Sequence, residues 1–425
     1  MNKYDIIIAG GGTAGCAAAY TAGRLGFKTL LVEKNIHLGG AVTSALVIPC
    51  MNAGENQINT DFYNALIKKL KKLGGQITYQ NNSGWFNPEL TKIALDNLMH
   101  DANVEVMFSA KISDVNISHD DKNIIKSVKI LSEYTDTIQK ELSEPIEARY
   151  VIDTTGNCEI CELAGCNFLN ENENKTQPVS LRFIMSNINL KAFSEWLIEF
   201  DKDRDVTTAE YIEGAIHLST AYTWDTGKNW ALKPLFDDAV AKGILKDTDR
   251  NYFQIFTIAG MPDAIAFNCP RMIENSDYSA VLRQARQSIF RLADFCKKYF
   301  KGFENAYISN IADELGIRVS RRLKGKYVYT AQDLKSGKIF DNPVVISNYP
   351  IDIHSSKKNT SKLVKTGYYQ LPVESLISAD IENLFVAGRC LSADFEAQAA
   401  LRIQPNCFAM GEGLVKYIKF QLNIS

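Results

Sequence analysis

The sequence has no surplus of either charge: its 47 lysines and arginines stand against 49 aspartates and glutamates, a formal net charge of -2. A surface without a broad positive field gives nucleic-acid phosphates and anionic lipids little to dock on, so no nucleic-acid partner is expected. Long apolar runs are also missing. None approaches the roughly 20 residues that cross a bilayer, so no membrane span is expected. The opening Met1-Asn2-Lys3-Tyr4-Asp5 lacks the charged, apolar and small-residue zones of a secretory signal, which sets the expectation of a cytoplasmic chain. The nine cysteines are odd in number and scattered, which suits reduced thiols better than a disulfide framework. Cys158, Cys161 and Cys166 lie close together, but no further spaced pair completes a metal-ligand set, so no metal is expected. Two readings stay open for them: buried idle thiols, or a dithiol that exchanges electrons with a cofactor.

What is present is ordinary globular material, 425 residues with 46% hydrophobic and 23% charged. At that length a single core stops growing, and two domains are expected. The basic run Lys68, Lys69, Lys71, Lys72 is interleaved with Leu70 and Leu73, the pattern of the wet face of an amphipathic helix.

The strongest local signal is at the N-terminus. Tyr4 to Ala9 reads as a buried strand, followed by Gly10-Gly11-Gly12-Thr13-Ala14-Gly15, then by an alanine-rich helix to Arg24 and a second strand, Thr29 to Val32, ending in Glu33. Gly10 permits the tight turn, Gly12 lets the backbone approach a diphosphate, and Gly15 lets helix and strand lie close. Thr13 and Ala14 sit at the start of the helix, where unpaired N–H groups and the helix dipole face an anion. Glu33 can accept hydrogen bonds from a ribose and would repel a 2′-phosphate. Lys34 joins it as a candidate cofactor contact.

Three further signals favour FAD over a nicotinamide dinucleotide. A second glycine pair, Gly39-Gly40, follows the acid and lets backbone pass beside an extended dinucleotide. His37, just before it, is read as a surface or hydrogen-bonding residue rather than a covalent flavin anchor. The apolar stretch from Ala148 to Asp153 closes on Thr154-Thr155-Gly156, and Asn383 to Ala387 closes on Gly388-Arg389. Strand ends of this kind converge on ligands in open sheets. Ile112 is added as a cofactor candidate. A helix expected to begin near Gly411 would present its N-terminus to the reduced flavin ring. Asn87 to Met99 reads as helix, Val104 to Phe108 as strand, and Ile124 to Leu131 with Ile146 to Ile152 as a crossover made of strands. No second G-x-G-x-x-G follows a strand, so a dedicated nicotinamide site is not expected and the electron partner is left unknown.

Taken with Gly316-Ile317-Arg318-Val319-Ser320-Arg321-Arg322, Asp352-Ile353-His354, Val386-Ala387-Gly388-Arg389-Cys390-Leu391-Ser392 and Leu401-Arg402-Ile403-Gln404-Pro405, the chain resembles a bacterial FAD-dependent oxidoreductase family. That family groups near the flavoproteins of fumarate reductase and the flavin subunit of heterodisulfide reductase. The sequence departs from it where Val319 stands in place of an acid, and where Gly411 is followed by Glu412-Gly413 rather than a small-residue helix. The resemblance implies an α/β fold, with a Rossmann-like FAD-binding domain of parallel sheet and β crossover, plus a mixed α+β substrate domain. Residues 1–50, 85–175 and 380–425 are assigned to the first and 51–84 with 176–379 to the second, the polar stretch from Asn167 to Thr176 being the candidate junction. Within the second, Ser180 to Met185 and Tyr252 to Ile258 read as strands and Tyr278 to Phe300 as a long helix. Arginine forks suit carboxylates, so Arg318 and Arg402 are expected to contact flavin or substrate, with His354 as a candidate acid or base. For Arg321 and Arg322 two readings stay open, ion pairs that tie the domains together or further arginines of the site. The expected activity is dehydrogenation or reduction of a small, anionic organic substrate by hydride transfer at the flavin. The alternatives are a tRNA-modifying or RNA-binding flavoprotein, and an electron-relay flavin subunit of a larger complex.

Overall fold

The computed structural model describes residues 3–120, 122–132, 140–141, 145–169, 176–222, 230–273, 277–354 and 362–424. Lys3–Ala9 forms a strand, β1, because its run of Ile6, Ile7 and Ile8 fits a position buried on both faces. Thr13–Arg24 follows as α1, whose buried Ala14, Gly15, Ala17, Ala18 and Ala22 are small enough to bring the helix close to its neighbours. Thr29–Val32 is β2, buried throughout. β1 lies between β2 and Ile146–Asp153, parallel to both. Glu105–Met107 adds to the outer edge of β2 and Leu384–Val386 to Ile146–Asp153, again parallel. The connection from Glu105–Met107 back to Ile146–Asp153 runs through the antiparallel pair Ala110–Ser118 and Ile124–Ser132. A strand-built crossover is present as expected, but Ile146–Asp153, read as part of it, is a parallel strand beside β1, and Ala110–Ser118 takes its place in the crossover; the parallel strands form the Rossmann-like sheet.

A second sheet is antiparallel, in the order Thr207–Ile212, Ala215–Tyr222, Phe253–Ile258, Met261–Phe267, Phe183–Ser186, Tyr307–Ile311. Helix Leu190–Phe200 packs on it, and Tyr278–Tyr299 joins through rings: Phe295 meets Phe236 and Phe300, and Phe300 meets Phe253. The hairpin strands Gln76–Tyr79 and Asn82–Phe86 reach the same sheet. Tyr79 Oη lies 2.6 Å from Thr208 Oγ1, and Trp85 meets Phe256 edge to face. One buried apolar cluster contains Ala17 and Ala18 of α1 together with Phe183, Phe256 and Phe267 of the second sheet. A separate cluster fills the opposite face of the parallel sheet.

The helix after the first hairpin-forming segment, Pro88–Asp101, starts where Asn87 accepts hydrogen bonds from Glu89 and Leu90 N–H groups, with proline in the first turn. Asp61–Lys72 buries Phe62, Leu66 and Leu70 and turns Lys68, Lys71 and Lys72 to water, the amphipathic pattern expected. One expected boundary is wrong. The C-terminal helix runs Gln404–Ile424, so it begins two turns before Gly411, which lies inside it. The mismatch has a physical source: glycine was read as a helix start, whereas here it is a packing residue. A Cβ at Gly411 would stand 2.2 Å from Ala14 O and 2.9 Å from Ala18 N, so glycine is what lets this helix lie directly on α1. Most of the polar stretch from Asn167 to Thr176 lies outside the described residues.

Candidate functional site

The site is built on the ends of the parallel strands. Gly10 takes φ +99°, its N–H bonds Val32 O at 2.8 Å, and a Cβ there would meet Thr154 O at 2.8 Å. A Cβ at Gly15 would stand 1.9 Å from Gly10 O, so this residue sets the closeness of α1 to the turn. Gly12 differs. No atom lies within 4 Å of where its Cβ would stand. It caps α1 without a side-chain hydrogen bond, which leaves first-turn N–H groups, at Thr13 and Ala14, for an acceptor from outside. An open cradle backed by unpaired donors fits the diphosphate of a dinucleotide.

The second glycine pair lies against the first. Gly39 N–H bonds Gly11 O at 2.8 Å, and a Cβ on Gly40 would stand 2.9 Å from Gly12 Cα. Both take positive φ, +107° and +51°. Glu33 is buried, and its carboxylate accepts the N–H groups of Gly11 at 2.5 Å and Asn35 at 2.8 Å. Burial raises its proton affinity, and these two hydrogen bonds oppose that rise. Lys34 forms an ion pair with Glu314 at 2.9 Å, which also accepts from Asn35 Nδ2 at 3.2 Å. The loop before the arginine-rich segment is thereby tied to the end of β2. His37 approaches Asp313 at 3.6 Å and is a hydrogen-bonding loop residue, as expected.

On the other side, Thr154 Oγ1 donates to Gly10 O at 2.6 Å, and Thr155 donates through both N–H and hydroxyl to Asp153 Oδ1. Gly156, at φ +78°, leaves room for Arg389, whose Nη2 would be 2.9 Å from a Cβ there. Arg389 donates to Gly156 O at 2.6 Å, Ser320 Oγ at 3.2 Å, Ile317 O at 3.0 Å and Asn157 Oδ1 at 3.1 Å, so one guanidinium fastens three segments. Gly388 faces Ala14: a Cβ built on it would stand 3.5 Å from the Cβ of Ala14. Ile112 lies in the Ala110–Ser118 strand, paired with Ile130, with its side chain in the cluster beneath the sheet. Gly411 is turned onto α1, on the helix side of Ala14.

Arg318, His354 and Arg402 are brought together from three distant parts of the chain. Arg318 donates to Pro178 O and, at 3.1 Å, to Ser180 Oγ. His354 Nε2 lies 3.2 Å from Asp352 Oδ2, and its backbone N–H bonds Gln177 Oε1 at 3.0 Å. Arg402 Nη2 bonds Asp352 O at 3.0 Å and stands 3.8 Å from Asp352 Oδ2 and 3.5 Å from Gln177 Oε1. Two more arginines complete the group, and the sequence reading missed both. Arg182 donates to Leu46 O and Ile48 O, in the segment that follows Gly40. Arg271 stacks 3.3 Å above the centre of the Tyr252 ring. Arg182 falls within a segment read only as a strand, and Arg271 stands outside every motif.

Arg182 and Arg318 are buried and Arg271 and Arg402 partly so, and the charges are unbalanced. Burial pushes Arg318 well down, and Arg271, Arg402 and Arg182 push it further; burial lowers Arg182 to about 10. Guanidinium starts high enough to stay charged at neutral pH. His354 is held well below the usual histidine range by burial and then by Arg271 and Arg318, so it is neutral. At Asp352 burial favours the acid, but the His354 hydrogen bond and the charges of Arg402 and Arg271 outweigh it and hold the carboxyl far below its normal range. Like charges held together in a medium of low dielectric favour a bound anion.

Arg321 pairs with Glu162 and Arg322 donates to Ala393 O at 2.9 Å, structural ties rather than site groups. The thiols of Cys158, Cys161, Cys166 and Cys390 form a buried chain beside the Gly156 loop, with Cys158 N–H 3.0 Å from Cys390 Sγ. Hydrogen bonds from Cys161 and Cys390 lower the Cys158 thiol against the effect of burial. Among the described residues no group of histidine, cysteine and carboxylate side chains has the arrangement of a metal site. No helix among them is long and apolar enough to cross a membrane.

Residues 5–415 match the family described as FAD dependent oxidoreductase. Curated relatives match only short stretches. A tRNA uridine 5-carboxymethylaminomethyl modification enzyme of Desulfotalea psychrophila is 35% identical over 77 residues, 18% of this chain and 10% of its own. A digeranylgeranylglycerophospholipid reductase 2 of Methanothermobacter thermautotrophicus is 49% identical over 43 residues, 10% of this chain and 11% of its own. The match thus spans about a tenth of each of these relatives. Among solved structures, a geranylgeranyl bacteriochlorophyll reductase-like protein from Thermoplasma acidophilum aligns over 100% of this chain and 80% of its own, at 14% identity and TM-score 0.48. A flavoprotein/dehydrogenase from Cytophaga hutchinsonii aligns over 99% and 79%, at 12% identity and TM-score 0.46.

Proposed function

The chain belongs to the FAD dependent oxidoreductase family and has FAD as its cofactor, and from that premise we propose that it dehydrogenates or reduces a small anionic organic molecule by hydride transfer at the flavin. The single observation that carries the word anionic is the group of Arg182 and Arg318, buried, and Arg271 and Arg402, partly buried, around one carboxylate, Asp352. Bound FAD supplies the two-electron chemistry. In this reading Gly10, Gly12, Thr13, Ala14 and Gly15 hold the diphosphate, Glu33 and Lys34 serve the ribose end, and Gly39, Gly40, Thr155, Gly156, Gly388 and Arg389 line the extended cofactor. Ile112 contributes through its main chain alone. Gly411 supports Ala14 from behind. The arginines grip and orient the substrate, and neutral His354 with Asp352 manages its polar hydrogen. We keep residues 1–50, 85–175 and 380–425 as the FAD-binding part and 51–84 with 176–379 as the substrate part.

The test is anaerobic. Purified holoenzyme is mixed with a panel of organic acids, alcohols and amines, and bleaching of the flavin's visible absorption is followed. Organic acids are expected to bleach it, and Arg402→Ala to slow bleaching at least about tenfold while flavin content is retained. Bleaching by neutral alcohols or amines alone, with Arg402→Ala indifferent, would overturn the reading.

A further inference from the structure

Among the buried polar atoms at the arginine group that have no hydrogen-bond partner are Gln177 Nε2, Arg402 Nε and Asp352 Oδ1. They belong to side chains that already touch. Gln177 Oε1 accepts from the His354 backbone and lies 3.5 Å from Arg402 Nη2, and Arg402 in turn bonds the Asp352 backbone. Gln177 is 1% exposed and Asp352 7%. Buried polar atoms are nearly always satisfied, so three orphans on one linked cluster mark where a ligand's own polar atoms fit. Their chemistry is specific. Two are donors and one is an acceptor.

A carboxylate satisfies the two donors but cannot satisfy Asp352 Oδ1, which it would repel. The ligand must therefore also carry a hydrogen to donate, close to its carboxylate, since the two side chains are neighbours: Arg402 Nη2 and Asp352 Oδ2, the partner atoms of these two on the same groups, are 3.8 Å apart. A hydroxyl on the neighbouring carbon meets that requirement. An ammonium would too, but it would add a positive charge where Arg182, Arg271, Arg318 and Arg402 are already crowded. We infer that Gln177, Arg402 and Asp352 form a recognition subsite for a 2-hydroxycarboxylate, with the carboxylate on Arg402 and Gln177 and the hydroxyl donating to Asp352. This rests on the anionic-substrate reading above and narrows it. Asp352 is then a specificity group: it gives little to binding of a plain acid and distinguishes a hydroxy acid from it. A site built around a buried acceptor rejects the analogue that lacks the donor.

The test measures binding rather than turnover. Holoenzyme is kept reduced with dithionite, so that no hydroxy acid is consumed, and equilibrium dialysis compares malate, succinate and aspartate, then lactate, propionate and alanine. In at least one series the hydroxy acid is expected to bind about tenfold or more tighter than both the deoxy acid and the amino acid. Asp352→Asn, whose neutral amide oxygen is a weaker acceptor, should lower the hydroxy-to-deoxy ratio, whereas Arg402→Gln should weaken all acids together. If hydroxy and deoxy acids bind equally to the unaltered protein, the inference is overturned and the anionic reading survives. If amino acids bind tightest, the hydroxyl assignment fails. If no acid binds at all, both this inference and the anionic reading fall. The unaltered protein's ratio decides the matter even should Asp352→Asn not fold.

Discussion

At the scale of single residues, the glycines of the fingerprint do different work, and substitution separates them. A methyl group at Gly12 meets nothing in the protein, whereas at Gly15 it would collide with Gly10 O. Gly12→Ala is therefore expected to fold with a urea midpoint close to the parent's, yet to retain markedly less FAD after gel filtration. Gly15→Ala is expected to lose about 1–3 kcal/mol in the same denaturation, because α1 must move off the turn. Equal loss of stability in both variants would contradict the geometry. Arg389 offers a second check, since its guanidinium joins its own strand end to the Gly156 loop and to the segment that holds Ile317 and Ser320. Arg389→Ala should cost about 1–3 kcal/mol and release flavin, and Arg389→Lys should restore little, because one ammonium cannot reach all these acceptors. Much of this was legible in the sequence. Gly10, Gly12, Gly15, Glu33, Gly39 and Gly40 stand in an order whose spacing is itself the geometry. Arg182 and Arg271 were not legible, because their partners, the carbonyls of Leu46 and Ile48 and the ring of Tyr252, are distant in the chain and carry no pattern.

At the scale of elements, local periodicity located strands and helices well where the apolar pattern was continuous. The read strand from Tyr4 to Ala9 is Lys3–Ala9, and the read helix from Tyr278 to Phe300 is Tyr278–Tyr299. It failed at Gly411, where glycine's effect is tertiary: the residue serves contact between two helices, and nothing local distinguishes that from a helix boundary. It also merged Val179–Ser180 and Phe183–Ser186 into one strand, since the break at Leu181 and Arg182 leaves the apolar run intact. The packing of α1 against Gln404–Ile424 gives an element-scale prediction. Gly411→Ala introduces a methyl group 2.2 Å from Ala14 O, and relief requires the helices to part. We expect a loss of at least about 1–3 kcal/mol in urea denaturation. A fall in retained FAD should accompany it, because Ala14 belongs to the first turn that faces the diphosphate. An unchanged denaturation midpoint would refute close helix contact.

At the scale of the whole molecule, buried ionisable groups set how stability responds to acid. His354 and His217 are each held below the usual histidine value by burial, in His354 with help from Arg271 and Arg318. Such groups bind protons more weakly in the folded chain than in the unfolded one. Their contribution is complete above the unfolded value of about 6.5 and is lost as pH falls below it, at up to about 1.4 kcal/mol per pH unit for each histidine. Asp352, also held low, adds a loss of the same sign only in stronger acid. Asp153, raised to about 6 by burial, opposes that loss in the same window, so the test is differential: the melting temperature of His217→Asn should fall less steeply from pH 7.5 to pH 5.5 than the parent's, and identical slopes would argue that this imidazole is not buried neutral. The hairpin's contact with the second sheet bears on engineering. Chimaeras that exchange the antiparallel sheet for one from another flavoprotein will leave mismatched surfaces against Tyr79 and Trp85, so specificity is better redesigned by changing individual pocket residues than by transplanting a module.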